Sequence, residues 1–492
     1  MSSHSSANQA SSKHAAEINP IRPAGYKGLA GFHKYWGKKP TEAWRFLIER
    51  LTEDGQVVLD PFLGSGLIAK ECTDLNRRFI GFDVNPISIE LTKLYLDLPS
   101  HQDLLTALAA FEEAVKPAIY QMYRLANKQI ATHFLWENEE ITRVWTKAGR
   151  QRIELDLSAT ERQKLQAQSV YQSTGVRKLR LFDNSRINSK ADFALSDLFT
   201  PRALQAIDLF KHEIDKYEGN VKRALQLILS ASLGQMSKMV FAVTRRGKST
   251  GKQATGIEVG SWVIGYWRPV QHFEVNAWNC FENKAKKLLN AIAQTGPQSP
   301  ILTTADIAEF THYGLDACLD VGDSELLLQQ LKTESVRLIL TDPPHGDRIP
   351  YLELSEMWNS VLGFEASYAE ELVVSDAKGR HKDLAQYNRK LAAIFGECAR
   401  VLENNGVLAV MFNARSTDHW HSLHNLEAAT GLNYLGSYPL AYSAGSVAQD
   451  TRKGGLKTDS VLIYGKNVSP QRRDDILHII RSMRGKIDVQ QM

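Results

Sequence analysis

Val57-Val58-Leu59-Asp60-Pro61-Phe62-Leu63-Gly64-Ser65-Gly66 is the stretch on which the fold turns. Three apolar residues running into an acid form a short buried strand, and the glycines beyond supply a tight turn. A helical pattern through Ala69 and Cys72 follows, and Arg78-Phe79-Ile80-Gly81-Phe82-Asp83 is a second strand that again ends in an acid. Strand, glycine turn, helix, strand and acid make a βαβ nucleotide-type element. No Lys-Ser/Thr follows the last glycine, so this is not a phosphate loop, and the spacing is not the dinucleotide one. An acid at the strand tip followed by small residues suits a ligand with a cationic amino-acid end, and Asp83 stands where a carboxylate can accept from both hydroxyls of a ribose. Taken alone, the turn is equally a tight βα connection with an incidental solvent acid.

Further along, the apolar run Val336-Arg337-Leu338-Ile339-Leu340 empties through Thr341 into Asp342-Pro343-Pro344-His345. Proline cannot continue a ladder, so the chain turns there and leaves a carboxylate and carbonyls at the carboxyl edge of a sheet, where open α/β sheets bind ligands. Such a turn suits a planar amine that needs acceptors for both hydrogens. Between the two signals, from about Leu98 to Glu309, the α/β alternation stops. Helical periodicity is clear over Arg202–Tyr217 and Val221–Leu233. Alternation resumes at Ala317–Val321, and Gly406–Phe412, Tyr434–Pro439 and Ser460–Tyr464 are the last expected strands. The predicted division is a disordered tail over 1–25, an α/β unit in two parts over 26–99 and 311–466, an inserted, mostly helical region over 100–310, and a closing helix or tail over 467–492.

Composition sets the outer limits. The chain has 492 residues, 43% hydrophobic and 23% charged, ordinary for a globular protein and long for a single core. No run approaches a membrane span, and the Ser-, Ala- and His-rich start lacks an apolar signal core, so a cytoplasmic location is expected. Cys72, Cys280, Cys318 and Cys398 are too scattered for zinc-ligand spacing, so no metal is expected. The net charge of +4 is small, but its distribution is uneven. Between Ile141 and Lys190 there are eleven basic and four acidic residues, a net of +7. A second basic loop carries Arg245, Arg246, Lys248 and Lys252, followed by Trp262, Tyr266 and Trp267, and a third carries Arg452, Lys453 and Lys457. Basic loops beside aromatics can grip phosphates and touch bases, although most charge runs are solvated faces.

The motifs together resemble those of the DNA amino-methyltransferases. Asp60-Pro61-Phe62-Leu63-Gly64-Ser65-Gly66 is similar to their Asp-Pro-Phe-x-Gly-Ser-Gly cofactor motif, Asp342-Pro343-Pro344-His345 to their Asp-Pro-Pro-Tyr catalytic motif, and His33-Lys34-Tyr35-Trp36-Gly37-Lys38-Lys39-Pro40 to the upstream segment that closes over the methionine end of S-adenosylmethionine. The resemblance covers about residues 32–95 and 315–465. It implies a Rossmann-like, seven-stranded methyltransferase sheet, mostly parallel with one antiparallel strand. It implies that Asp60, Pro61, Phe62 and the loop Gly64, Ser65 and Gly66 hold the methionine part of the cofactor, Asp83 the ribose and Asp323 the adenine amine. Tyr35, Trp36, Gly37 and Lys38 would then pack and hydrogen-bond at the carboxylate end.

Methyl transfer to an exocyclic base amine follows, adenine N6 ahead of cytosine N4 because an acid rather than Ser opens the motif. Asp342 and the Pro343 carbonyl would accept from the amine, and the base would be flipped out of double-stranded DNA and stacked. His345 stands where the family has Tyr, Phe or Trp, so weaker stacking is expected; a decayed site is the competing reading. Arg348, in the loop after the motif, would meet DNA with Arg245, Arg246, Lys248, Lys252 and Lys453. The implied setting is restriction–modification or phage defence, alone or with other restriction or defence subunits. Rival readings are a methyltransferase of RNA or of a protein amide with the same motif, and a catalytically silent DNA-binding subunit.

Overall fold

The computed structural model describes residues 26–484, apart from 150, 168–170, 178–180, 193, 244–256, 263–264, 297, 300, 348, 414–419, 421–422 and 441–458. Its largest sheet has eight strands in the spatial order Asn433–Pro439, Ser460–Gly465, Leu402–Phe412, Val336–Thr341, Val57–Asp60, Arg78–Asp83, Ala317–Val321, Thr303–Thr304. Ser460–Gly465 runs antiparallel to both of its neighbours, while the other pairings are parallel. The expected seven strands, one of them reversed, are all present, and a two-residue strand is added at one edge. Buried on both faces, the central strands read as apolar runs rather than alternations.

The strand order creates the site. Val57–Asp60 and Val336–Thr341 are hydrogen-bonded parallel neighbours, with Val58 opposite Leu338 and Leu59 opposite Ile339. Both carboxyl ends therefore emerge at one edge of the sheet, which is where connections to the opposite face leave a crevice. The Thr341 hydroxyl donates to Asp60 Oδ1 at 2.6 Å and ties the two ends together.

Between Asp83 and Thr303 no described residue joins this sheet. Helices His101–Met122, Pro201–Ile214, Gly219–Met236 and Ala277–Thr295 dominate that stretch, as expected. Phe111, Phe210 and Phe281 stack among them at centroid distances of 4.7–5.9 Å. The inserted region also contains a four-stranded antiparallel sheet, Gln151–Leu155, Glu140–Ala148, His133–Glu137 and Gln271–Val275, where sequence suggested only short strand-like pieces. A buried Arg202–Glu274 pair, reinforced by Trp136 Nε1, pins Pro201–Ile214 to that sheet.

Gly66 illustrates how tightly the first glycine turn is built. It adopts φ +73° and precedes helix Leu67–Asp74, and a Cβ on it would lie 1.9 Å from Thr92 Oγ1. Overpacking and a left-handed backbone act together here, so Gly66→Ala is expected to cost about 2–4 kcal/mol. The drop in the denaturant midpoint, at unchanged slope, measures it.

Candidate active site

A cavity of about 880 Å³ lies at the carboxyl edge of the sheet, walled by both sequence motifs. The first motif contributes Asp60, Pro61, Phe62, Gly64 and Ser65, and the next strand end contributes Asp83. Tyr35, Trp36, Gly37 and Lys38 form the wall from the upstream segment. Asp323 joins from the turn after Ala317–Val321, and Asp342 and Pro344 come from the second motif. Gly66, Pro343 and His345 are not among the lining residues. Gly66 serves helix packing instead. Arg245, Arg246, Lys248, Lys252, Arg348 and Lys453 lie outside the described residues.

Asp60 is buried, Asp83 and Asp323 are half-buried, and each is individually satisfied. Asp60 accepts from the Thr341 hydroxyl and from the Phe62 N–H at 3.0 Å, and burial lifts its carboxyl to about 7. Asp83 accepts from the Gly64 N–H at 2.7 Å and the Asn85 N–H at 2.9 Å, and burial lifts it to about 6. Asp323 caps helix Ser324–Gln329 through the Glu325 N–H and pairs with Lys390 at 2.5 Å. Lys38 is spent on the backbone, donating to the Ala30 and His33 carbonyls, and burial brings its ammonium down to about 7. Trp36 stacks on Trp358 at 5.7 Å, with Trp262 edge-on to both rings. Its indole N–H is buried with no acceptor.

Asp342 sits at the centre of a cluster that sequence reasoning saw only in part. Its Oδ2 pairs with Lys39 Nζ at 3.0 Å, and Lys39 also pairs with Asp459 at 3.0 Å. Its Oδ1 lies 3.0 Å from His345 Nε2. The His345 ring packs edge-on against Phe412 at 4.9 Å. The ring edge of His345 meets Asp342 and the ring packs against Phe412, and His345 is not among the residues that line the cavity. Asn85, also missed, joins the two halves: it donates to Tyr35 and Ser355 and accepts from Asn359 on helix Tyr351–Leu362. Only Lys39 carried a signal in the sequence, as the second lysine of Lys38-Lys39-Pro40.

The basic stretch of the insertion is partly consumed by the fold. Arg177 reaches Glu356 and the Phe364 carbonyl, Arg186 reaches Asp347, and Arg143 pairs with Glu154. The Arg177 and Arg186 contacts fasten the insertion to the segment after Asp342, and Arg143 is used within the insertion's own sheet, so not every charge is left for a polyanion.

The cavity suits a ligand that is cationic at its centre and carries an acceptor at one end. Its wall is rich in carboxylates, three of them (Asp60, Asp83 and Glu371) raised by burial, and an unpartnered indole donor stands on the upstream side. Glycine at 64 adopts φ +55° and keeps the loop free of a side chain beside Tyr35.

Comparison with known proteins agrees with the motifs. Residues 4–94 match the family model described as DNA methylase. The chain is 36% identical over 95 residues to the Type II methyltransferase M.HpaI of Haemophilus parainfluenzae, covering 17% of this chain and 30% of that one. It is 42% identical over 55 residues to the Type II methyltransferase M.HindIII of Haemophilus influenzae, covering 11% and 17%. The chain thus spans less than a third of the length of these relatives. Among solved structures, TTHA0409 of Thermus thermophilus in complex with S-adenosyl-L-methionine matches at 15% identity and TM-score 0.17, covering 30% of this chain and 54% of that one. An overlap that low leaves the fold to be read from this chain's own strand order. The resemblance to DNA amino-methyltransferases is borne out over the amino-terminal motifs.

Two outcomes follow from the buried acids. Asp60 binds its proton more tightly folded than unfolded, so its contribution to stability is present at low pH and is lost as pH rises through about 7. Both hydrogen bonds reach its Oδ1, and asparagine retains an oxygen there. Asp60→Asn should therefore raise the melting temperature at pH 8 by a few degrees, with the gain shrinking as pH falls and vanishing only below the ordinary carboxyl value of 3.8, as read by calorimetry. His345→Tyr tests the ring's position: with His345 turned to Asp342, tyrosine should leave affinity for a ligand of the cavity within about threefold, an energy under 1 kcal/mol.

Proposed function

We propose that the chain is an S-adenosylmethionine-dependent DNA methyltransferase that acts on an exocyclic base amine, with adenine N6 preferred over cytosine N4. The observation that carries this is the single cavity shared by the Gly64-Ser65 loop and Asp342, two stretches far apart in the chain. The family match and the Type II methyltransferase relatives support it. The preference for adenine rests on the acid that opens Asp342-Pro343-Pro344-His345.

S-adenosylmethionine supplies an electrophilic sulfonium methyl when bound. Its cationic amino-acid end suits Asp60 and the glycine loop, its ribose suits Asp83, and its carboxylate suits the free Trp36 N–H. A base amine is a weak nucleophile because its lone pair is delocalised into the ring. An ionised carboxylate has about four acceptor positions, and Lys39 and His345 occupy one on each oxygen of Asp342. One amine hydrogen can therefore be accepted by Asp342. Among the described residues no donor reaches the Pro343 carbonyl, which can accept the second. Both bonds favour a pyramidal nitrogen. Bound S-adenosylmethionine would supply the methyl and keep the electron pair of the broken C–S bond on its sulfur, and the Asp342 carboxylate would take the surplus amine proton. Positioning and a fixed electrostatic environment supply most of the acceleration.

The amine of a paired base is buried in the duplex, so the base is flipped to reach the cavity. Duplex DNA is the proposed partner, and restriction–modification or phage defence in the cytoplasm is the proposed setting. Among the described residues no helix is long and apolar enough to cross a membrane.

The test is transfer of labelled methyl to duplex DNA, RNA and protein, with single-molecule sequencing of DNA from expressing cells to identify the marked base. Label on duplex DNA is expected; label confined to RNA or protein overturns the assignment. Asp342→Ala should lower transfer at least about 100-fold while cofactor binding, measured by calorimetry, survives.

A further inference from the structure

Lys39 is an unexpected presence beside Asp342. It is 8% exposed, and its ammonium lies 3.0 Å from one oxygen of Asp342 and 3.0 Å from one oxygen of Asp459. The three residues come from different parts of the fold: the loop before helix Thr41–Leu51, the end of the central strand Val336–Thr341, and the residue preceding the reversed strand Ser460–Gly465. Asp459 is fixed in turn, since Asn413 donates to its other oxygen at 2.7 Å from the end of Leu402–Phe412. We propose that Lys39, braced by Asp459, is a positioning residue that holds the Asp342 carboxylate ionised and turned toward the substrate amine.

The physical case rests on what surrounds Asp342. Asp60 and Tyr387 face it, His345 touches its Oδ1, and Asp459 stands beyond Lys39. Two of these neighbours are carboxyl groups, so negative charge is concentrated around it. A protonated Asp342 would donate rather than accept at one oxygen and could take no proton from the methylated amine. Lys39 is the cation that reverses this balance. Burial opposes its charge, yet the carboxylates of Asp342 and Asp459 outweigh burial and hold its ammonium above the usual lysine range. For Asp459 burial is likewise outweighed, by Lys39 and His345, and its carboxyl sits below the usual range. The strut is therefore permanently charged across the working pH range.

Geometry adds a second consequence. The same loop carries Tyr35, Trp36 and Gly37, which wall the cavity on the cofactor side. Lys39 thus anchors that wall directly to the acceptor of the amine, and the two substrates meet across one short loop. Its neighbour Lys38 cannot substitute, because its donors are committed to the Ala30 and His33 carbonyls.

This inference rests on the proposed methyl transfer, so the wild-type reaction on duplex DNA is measured first. Single-turnover rates and cofactor affinity are then compared for Lys39→Met, Lys39→Arg and Lys39→Met/Asp459→Asn across pH 6–9. Lys39→Met should lower the maximal rate on the order of 100-fold, change cofactor affinity far less, and move the acid limb of the rate profile to higher pH. Lys39→Arg should recover most of the rate. The double variant removes the bracing carboxylate together with the cation, so it should fold even if Lys39→Met does not, and should regain at least about tenfold over it, or remain well below wild type where Lys39→Met cannot be made. Wild-type rate and pH profile in Lys39→Met or in the double variant overturn the strut while leaving the function standing. Arginine as damaging as methionine also overturns it, because charge is then not what matters. A wild type that transfers no methyl to DNA overturns both.

Discussion

Repulsion between carboxylates is the constraint that this structure answers. Parallel pairing of Val57–Asp60 with Val336–Thr341 and Arg78–Asp83 delivers Asp60, Asp83 and Asp342 to one edge, and Asp323 arrives beside them from the next strand. Two unit charges 4 Å apart interact by about 4 kcal/mol at the effective dielectric of a protein surface. The fold meets that cost locally: Thr341 and backbone N–H groups for Asp60 and Asp83, Lys390 for Asp323, Lys39 for Asp342, and Arg380 for Glu371 deeper in the wall. Burial still leaves Asp60 and Glu371 near 7 and Asp83 near 6. A cationic ligand completes the neutralisation, so affinity for it and stability without it are set by the same charges. Raising the pH through this range ionises the wall, which weakens the empty fold and strengthens its hold on a cation.

The inserted region is not a separate appendage to this site. Trp262 packs edge-on against Trp36 and Trp358, His33 Nε2 lies 2.9 Å from the Ser230 hydroxyl, and the Tyr266 hydroxyl donates to the Glu353 carbonyl. Asn184 donates to the buried Glu353 at 2.6 Å, and Arg177 and Arg186 hold Glu356 and Asp347. Glu353, Glu356 and Asp347 all lie in the loop or helix that follows Asp342. Whatever displaces Arg177, Asn184 or Arg186 therefore bears on the segment that follows Asp342 through directional contacts. A buried carboxylate such as Glu353 cannot lose its partners cheaply, because an uncompensated charge in that position costs several kcal/mol.

The strands and the acids at their ends were legible because they are written in local signals. An apolar run ending in an acid needs no partner to be recognised, and Asp60, Asp83 and Asp342 all ended such runs. The antiparallel sheet of the insertion was less legible. Its first hairpin turns at Asn138-Glu139, both with positive φ, which is the geometry of a two-residue turn without the glycine that usually announces it. Glu140–Ala148 carries two Thr, an Arg, a Trp and a Lys in place of a clean alternation, and its charges masked the strand. The bracing of Lys39 was invisible for another reason. Asp459 ends a basic loop, and Asn413 follows an unbroken apolar strand; only the three-dimensional meeting of strand ends gives either a role. For His345 the motif position suggested a stacking ring, and a hydrogen bond to a residue three positions earlier decided otherwise.

Distance along the chain also dictates when the site can exist. Thr341 and Asp60 are 281 residues apart, yet they belong to adjacent strands. Closing so long a loop costs entropy that grows only with the logarithm of its length, and the insertion reduces it further by folding around its own core. Phe111, Phe210 and Phe281 stack within helices whose ends return the chain to the sheet near Thr303. The central strand pair then forms across a gap already bridged by structure rather than by flexible chain. A site assembled in this order is present only when both parts and the insertion have folded.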